Sequence, residues 1–135
     1  MDCLFCKIAN KEIQSEMIYE DEYSFAVLDV NPLAPGHTLI IPKEHADTIV
    51  ALPEKSIGPL FLTVRKITDM LQDTLEPEGF TIGINQGKAS RGGIEHLHVH
   101  VIPRWMSDDG GSIHSIVNNP PEEDLQEIRE KIIKA

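Results

Sequence analysis

The chain has 135 residues, 41% of them apolar and 25% charged, which suits one globular domain with a sizeable core. A formal net charge of −10 argues against a surface that wraps duplex nucleic acid through many Lys and Arg contacts, yet leaves room for a small anionic ligand held by a few local donors. No apolar run approaches the roughly 20 residues of a membrane span, and the start, MDCLFCKIAN, lacks a basic segment followed by an apolar stretch. No signal peptide or membrane contact is read, and a cytoplasmic location is expected.

Residues 3–9 read as a helical turn or two and carry both cysteines, Cys3 and Cys6. Two cysteines this close staple very little chain. In a reducing compartment a CxxC pair is more often a metal site or a redox pair. A redox pair favours a strand before it, and only Met1 and Asp2 precede this one, so the metal reading leads.

Residues 16–20 and 23–29 read as two strands joined by Asp21-Glu22. Asn31-Pro32 and Pro35-Gly36 punctuate the following loop, and residues 37–41 form a third strand ended by Pro42. From about 54 to 75, Ile57, Leu60, Phe61, Val64, Ile67, Leu71 and Leu75 recur at spacings of three and four, the stripe of a long helix. Pro59 lies inside that stripe. Proline is tolerated in a first helical turn, which moves the expected start nearer Ser56 than Glu54. Residues 80–85 and 94–102 read as the fourth and fifth strands, separated by QGKASRGG, a loop of glycines and two cations.

After Trp105, SDDGGS reads as a flexible joint. The tail has Pro and acids at its start, Lys at its end, and one apolar stripe of Leu125, Ile128, Ile132 and Ile133, which predicts a C-terminal helix. Strands, helix, strands, helix is the order of an α+β domain with a mostly antiparallel sheet of about five strands. Residues 1–105 form the domain, and 106–135 are a C-terminal extension of it.

His96, His98 and His100 alternate with Leu97, Val99 and Val101. On a strand the three histidines share one face at roughly 7 Å intervals, while the apolar three face the core. Exposed strand faces usually carry Thr, Lys, Glu or Ser, so this row points to chemistry: metal binding, or nucleophilic and acid–base work near neutral pH. The spacing is too wide for all three to act on one atom. It suits a division of labour among a nucleophile, a phosphate contact and a structural residue.

The HxHxH stretch followed by apolar residues resembles the signature of the histidine triad (HIT) superfamily of nucleotide hydrolases and transferases. CLFCKIANKEI, IYEDEYSFAVLDVNPLAPGHTLIIPKEH and GINQGKASRGGIEHLHVHVIPRW are similar to family blocks, in the family's order, across most of residues 3–105. The resemblance implies a HIT-like fold. It implies an enzyme, a hydrolase ahead of a nucleotidyltransferase, acting at the nucleoside α-phosphate of a dinucleoside polyphosphate or nucleoside phosphoramidate. The reaction would pass through a nucleotidyl-histidine intermediate and release a nucleoside monophosphate.

Carried onto this sequence, His98 matches the nucleophile and His100 the residue that contacts phosphate and helps the leaving group depart. His37 matches a fourth histidine that supports the triad from behind. Asn85 matches a polar residue beside the phosphate, and Asp29 the carboxylate that accepts bonds from the ribose hydroxyls. Leu4, Phe5, Ile8, Val27 and Val30 match the apolar wall around the base, although a plain core role is equally open for each. Family members with CxxC imply a structural zinc held by Cys3, Cys6, His45 and His96, a closed site that leaves the chemistry metal-free. His114 matches nothing and is read as a surface residue.

The resemblance also implies a homodimer whose small sheets join into one larger sheet near the long helix. The sequence itself adds only that a five-stranded sheet leaves edges to cover. One segment departs from the family. Where many relatives place Gln followed by Ser or Thr before the triad, this chain has Gly92 and Gly93, so those side-chain phosphate donors are absent. Glycines can still aim backbone N–H groups at an anion, and Lys88 or Arg91 can supply charge. The GI…HLHVHVIPRW form is closer to the dinucleoside tetraphosphate phosphorylase or adenylyltransferase-like branch than to the phosphoramidase branch. The absent donors keep a nucleotide- or partner-binding module with little turnover as an alternative, and a CxxC redox protein as a third.

Overall fold

A hairpin of β1 (Met17–Glu20) and β2 (Ser24–Leu28) begins the sheet. Its turn is fixed by Asp21, whose carboxylate accepts the N–H groups of Tyr23 and Ser24. The computed structural model describes residues 3–135. After the hairpin come β3 (Thr38–Pro42), the long helix, β4 (Gly79–Gly83) and β5 (Val99–Arg104), giving one antiparallel sheet in the order β1-β2-β3-β5-β4. The turn into β3 passes through Gly36 at φ 84°, a conformation that favours glycine. It delivers His37 to the start of that strand.

Alternation along the central strands sorts their side chains onto two buried faces. Ala26, Ile40, Leu97, Val99 and Val101 pack with Leu60 and Ile67 of the long helix, while Phe25, Val27, Leu39 and Ile41 form a second cluster with Phe5 and Ile8. The second cluster is closed by the short helix Leu4–Ala9 (α1), capped by the Cys3 sulfur, which accepts the Cys6 N–H at 3.4 Å. The long helix is therefore α2 (Glu54–Leu75). The histidine-bearing face of the sheet lies under α1, not in solvent.

α2 begins at Glu54 rather than near Ser56, so Pro59 sits beyond the first turn and supplies no N–H to the Lys55 carbonyl. Leu60, Val64, Ile67 and Leu71 are buried, joined by Ser56 and by Thr63, whose hydroxyl is 2.7 Å from that of Ser24. Phe61 and Leu75, expected in the same stripe, are 39% and 40% exposed.

The fifth strand starts at Val99 and ends at Arg104, later at both ends than the expected 94–102. The reason is Pro42. The β3–β5 register pairs Thr38 with Val101 and Ile40 with Val99, so the next pair would set Pro42 against Leu97. Proline has no N–H to give. The Leu97 N–H turns instead to the Ala46 carbonyl at 2.7 Å, and the Pro42 carbonyl is taken by the His96 ring at 2.8 Å. His96 and His98 thus lie just before the strand, outside its ladder.

The joint after Trp105 is held, not flexible as expected. Arg104 grips Asp108 through Nε and Nη2 at 2.6 and 3.1 Å, and the Asp108 carboxylate also accepts the N–H groups of Trp105 and Gly110. These donors, the guanidinium first, hold the Asp108 carboxyl well below the usual carboxylate range. The tail ends in α3 (Leu125–Ile133), capped by Asp124, which accepts the Glu127 N–H at 2.9 Å. Its stripe is exposed, with Leu125 at 80% and Ile132 at 69%. Among the described residues no helix is long and apolar enough to cross a membrane.

Candidate functional site

Neighbouring strands bring His37 and His100 together across 63 residues of sequence. His37 Nδ1 accepts the Leu33 N–H at 3.0 Å, which leaves the proton of the neutral ring on Nε2. That Nε2 lies 2.9 Å from His100 Nδ1 and 3.4 Å from an Asp29 carboxylate oxygen. His100 Nδ1 therefore accepts, and the neutral His100 ring carries its own proton on Nε2. Burial, followed by the nearby His98 and His37, brings His100 down to about 4. Burial also lowers His37, against the opposing pull of Asp29. Both rings are neutral at pH 7.

His98 is arranged the opposite way round. Its Nδ1 is 2.7 Å from the His96 carbonyl, an atom that can only accept, so Nδ1 carries the proton and Nε2 keeps its lone pair. Phe5 packs edgewise on this ring with centroids 5.0 Å apart, and His100 lies at 5.1 Å. The pair offers what phosphoryl chemistry needs: a nucleophilic nitrogen beside an N–H donor.

The second cluster joins α1 to the segment before β5. Cys3 Sγ is 3.2 Å from His96 Nδ1, Cys6 Sγ is 3.3 Å from His45 Nδ1, and the two Nδ1 atoms are 3.1 Å apart. Each outer nitrogen faces an oxygen: His96 Nε2 lies 2.8 Å from the Pro42 carbonyl and His45 Nε2 lies 3.0 Å from Asp47. With both Nε2 atoms protonated, two lone pairs point at one another and at two sulfurs, an arrangement that suits a shared cation. Tetrahedral zinc, with bonds of about 2.0–2.3 Å, spaces its ligand atoms roughly 3.3–3.8 Å apart, close to these separations. Burial, and then the neighbouring Cys3, push the Cys6 thiol up to about 11. The four donor atoms lie within 4.8 Å of one another, so the set fits a metal. His96 connects both clusters, through its ring on one side and its carbonyl on the other.

The remaining expected residues are distributed as follows. Gly83 pairs with His100 at the end of the β4–β5 ladder, and Asn85 lies two residues beyond it, lining a cavity with Lys88, Arg91 and Gly92. Asp29 accepts the Asn31 N–H at 2.9 Å and lines a cavity of about 420 Å³ with Leu28, Leu33 and His37. Phe5, Ile8 and Val27 are buried together. Leu4 is 41% exposed and lines a cavity beside Cys3 and His45, whereas Val30 is 89% exposed and stands outside the cluster. At Gly92 a Cβ would lie 2.8 Å from the Asn85 carbonyl oxygen, so this path of the loop admits no side chain there. Gly93 has φ 79°. His114 is exposed, in a single turn at Ile113–Ser115. The sequence reading missed the partners that fix each ring: the Leu33 N–H, the carbonyls of Pro42 and His96, and Asp47. Only Asp47, two residues after His45, left a side-chain signal.

The model of the HIT domain family matches residues 10–106. Two relatives have named activities. An adenosine 5'-monophosphoramidase of Candida albicans is 34% identical over 76% of this chain and 70% of its own length. An adenylylsulfatase of Arabidopsis thaliana is 37% identical over 78% of this chain and 54% of its own. Among solved structures, a HIT family protein from Bacillus subtilis superposes with a TM-score of 0.87 at 34% identity, covering 99% of this chain and 96% of that one. A zinc-bound histidine triad family protein from Mycobacterium smegmatis does so with a TM-score of 0.75 at 30% identity, covering 96% and 89%.

Proposed function

Since this chain belongs to the HIT domain family, we propose that it is a nucleotide hydrolase in which His98 attacks the α-phosphorus of a nucleotide and a nucleoside monophosphate is released. The observation that carries this is the His98 ring, whose Nδ1 faces the His96 carbonyl and whose Nε2 is left with its lone pair. The Nε2–P bond forms as the bond from phosphorus to the leaving group breaks, and the electron pair departs with that group. The His98 imidazolium so formed keeps its Nδ1–H on the His96 carbonyl. Water then adds to phosphorus, the N–P bond breaks, and a proton passes to solvent. His100 gives its Nε2–H as a hydrogen bond to a phosphate oxygen, fixed in that tautomer by His37. Asp29 takes the ribose hydroxyls, Asn85 stands by the phosphate, and Phe5, Ile8 and Val27 form the base wall with Leu4 at its edge. The activities named for the Candida and Arabidopsis relatives support bond cleavage next to an adenosine phosphate.

Zinc held by Cys3, Cys6, His45 and His96 belongs to the same reading, and the zinc-bound mycobacterial relative supports it. All four ligand positions would be protein atoms, so the ion would supply structural cohesion alone. A homodimer also belongs to it. β4 is an edge strand, and with α2 it presents an open apolar groove that includes Phe61, Leu62, Phe80 and Ile82. A second copy of the chain would cover both.

The test is nucleoside monophosphate release from diadenosine tetraphosphate, adenylyl sulfate and adenosine phosphoramidate. His98→Ala should lower turnover about 10³-fold or more on every substrate that wild type cleaves. Turnover equal to wild type would remove His98 from the mechanism.

A further inference from the structure

The two histidine clusters meet at the peptide that joins His96 to Leu97. It lies before the first residue of β5, so the ladder does not set its direction. Its N–H goes to the carbonyl of Ala46, the neighbour of His45, at 2.7 Å. Its carbonyl takes the His98 Nδ1–H at 2.7 Å. The His96 ring is buried and held on two sides. Nε2 faces the Pro42 carbonyl at 2.8 Å, and Nδ1 faces Cys3 Sγ at 3.2 Å and His45 Nδ1 at 3.1 Å. Two members of the metal-binding set therefore steer this peptide: His96, on which it sits, and His45, whose neighbour holds its N–H.

The state of the nucleophile depends on the same peptide. Among the described residues the His98 ring makes no other hydrogen bond. Its remaining ring contacts, with Phe5 and His100, are packing contacts at centroid distances of 5.0 and 5.1 Å and do not choose a tautomer. A neutral imidazole has one proton for two nitrogens. When the carbonyl swings away, that proton is free to settle on Nε2, and the lone pair that attacks phosphorus is lost.

We infer that His96 is a positioning residue that couples the metal-binding set to the nucleophile: with its ring ligated at Nδ1, its carbonyl keeps His98 in the Nδ1–H tautomer, so that activity follows metal occupancy although no metal touches the substrate. The cohesion proposed for zinc then has a directed consequence at one nitrogen. The inference rests on the reading of His98 as nucleophile, but the tautomer is measurable without any substrate.

The test is a ¹H–¹⁵N correlation spectrum of the histidine rings at about pH 8, above the usual histidine range, with AMP release measured in parallel. Zinc-loaded wild type should show His98 as Nδ1–H alone. After chelation the Nε2–H form should appear and AMP release should slow about 10²-fold, and added zinc should reverse both. His96→Gln places an amide where Nε2 lies, keeping a donor for the Pro42 carbonyl but no ligand at Nδ1. It should behave as the chelated protein does, with no rescue by zinc. His45→Cys rebuilds a closed set of three cysteines and one histidine and should keep zinc, tautomer and turnover. Phe25→Leu loosens the same buried cluster without touching a ligand and should leave the tautomer unchanged. A folded, zinc-free protein with His98 still wholly Nδ1–H, or AMP release indifferent to zinc, would overturn the coupling. Loss of the folded amide spectrum on chelation would overturn it too, because the metal would then hold the whole domain rather than one peptide. A tautomer that follows zinc in a protein that releases AMP from no substrate would keep the coupling and overturn the nucleotide reading.

Discussion

His37, His45, His96 and His98 each have one nitrogen committed to a backbone or carboxylate partner, His100 has one committed to the His37 ring, and that commitment decides which nitrogen is left for chemistry. In His98 the committed atom is Nδ1, in His96 and His45 it is Nε2, and in His37 it is Nδ1 again. A pH dependence follows at this scale. The usual pKa of histidine is 6.5, and His100 in the fold lies at about 4, with His37 lowered as well. As pH falls the unfolded chain takes up these protons before the folded one does. The stability from keeping the rings neutral is therefore complete above 6.5 and is lost as pH falls from 6.5 through about 4. Urea midpoints should hold steady from pH 8 to 7 and drop toward pH 5, and His100→Asn should flatten the drop. A wild-type midpoint unchanged between pH 7 and 5 would contradict this.

At the scale of elements, α1 and the segment before β5 form one unit because Cys3 and Cys6 meet His96 and His45. Purified protein should contain about one zinc per chain, and Cys3→Ser/Cys6→Ser should contain none. In that variant, amide exchange should quicken through Leu4–Ala9 and at His98. Metal-free wild type with freely titrating thiols would refute the site. Much of this was readable in the sequence. The alternation at 96–101 correctly put Leu97, Val99 and Val101 in the core beneath α2, with the histidines on the other side. The end of the ladder was not readable, because it depends on Pro42 falling opposite Leu97, a register that only the assembled sheet defines. Phe61 was unreadable for a similar reason: periodicity reports an apolar stripe but not its width, and this ring turns toward the groove with Phe80 and Ile82.

Over the whole molecule, the strand order leaves β1 and β4 as edges, and β4 shares with α2 a groove that exposes Phe61, Leu62 and Ile82 beside Arg65, Lys66 and Asp69. Sedimentation velocity across a range of concentrations should give a dimer, and Phe61→Asp or Ile82→Asp should shift it to monomer without loss of helical signal. A wild-type monomer at every concentration would reject that interface. The stripe of α3 had a clear sequence pattern, yet none of its residues is buried, since periodicity tells that a face is apolar and not what meets it. The contact between Cys3 and His96 has one more consequence. It spans 93 residues, and the Cys6–His45 and His37–His100 contacts span 39 and 63. None of them can form until distant parts of the chain have already met, so the reactive cluster is an end product of folding rather than its seed. A cation clasping residues 3 and 96 would close nearly the whole domain into a loop, removing freedom from the unfolded chain more than adding grip to the folded one.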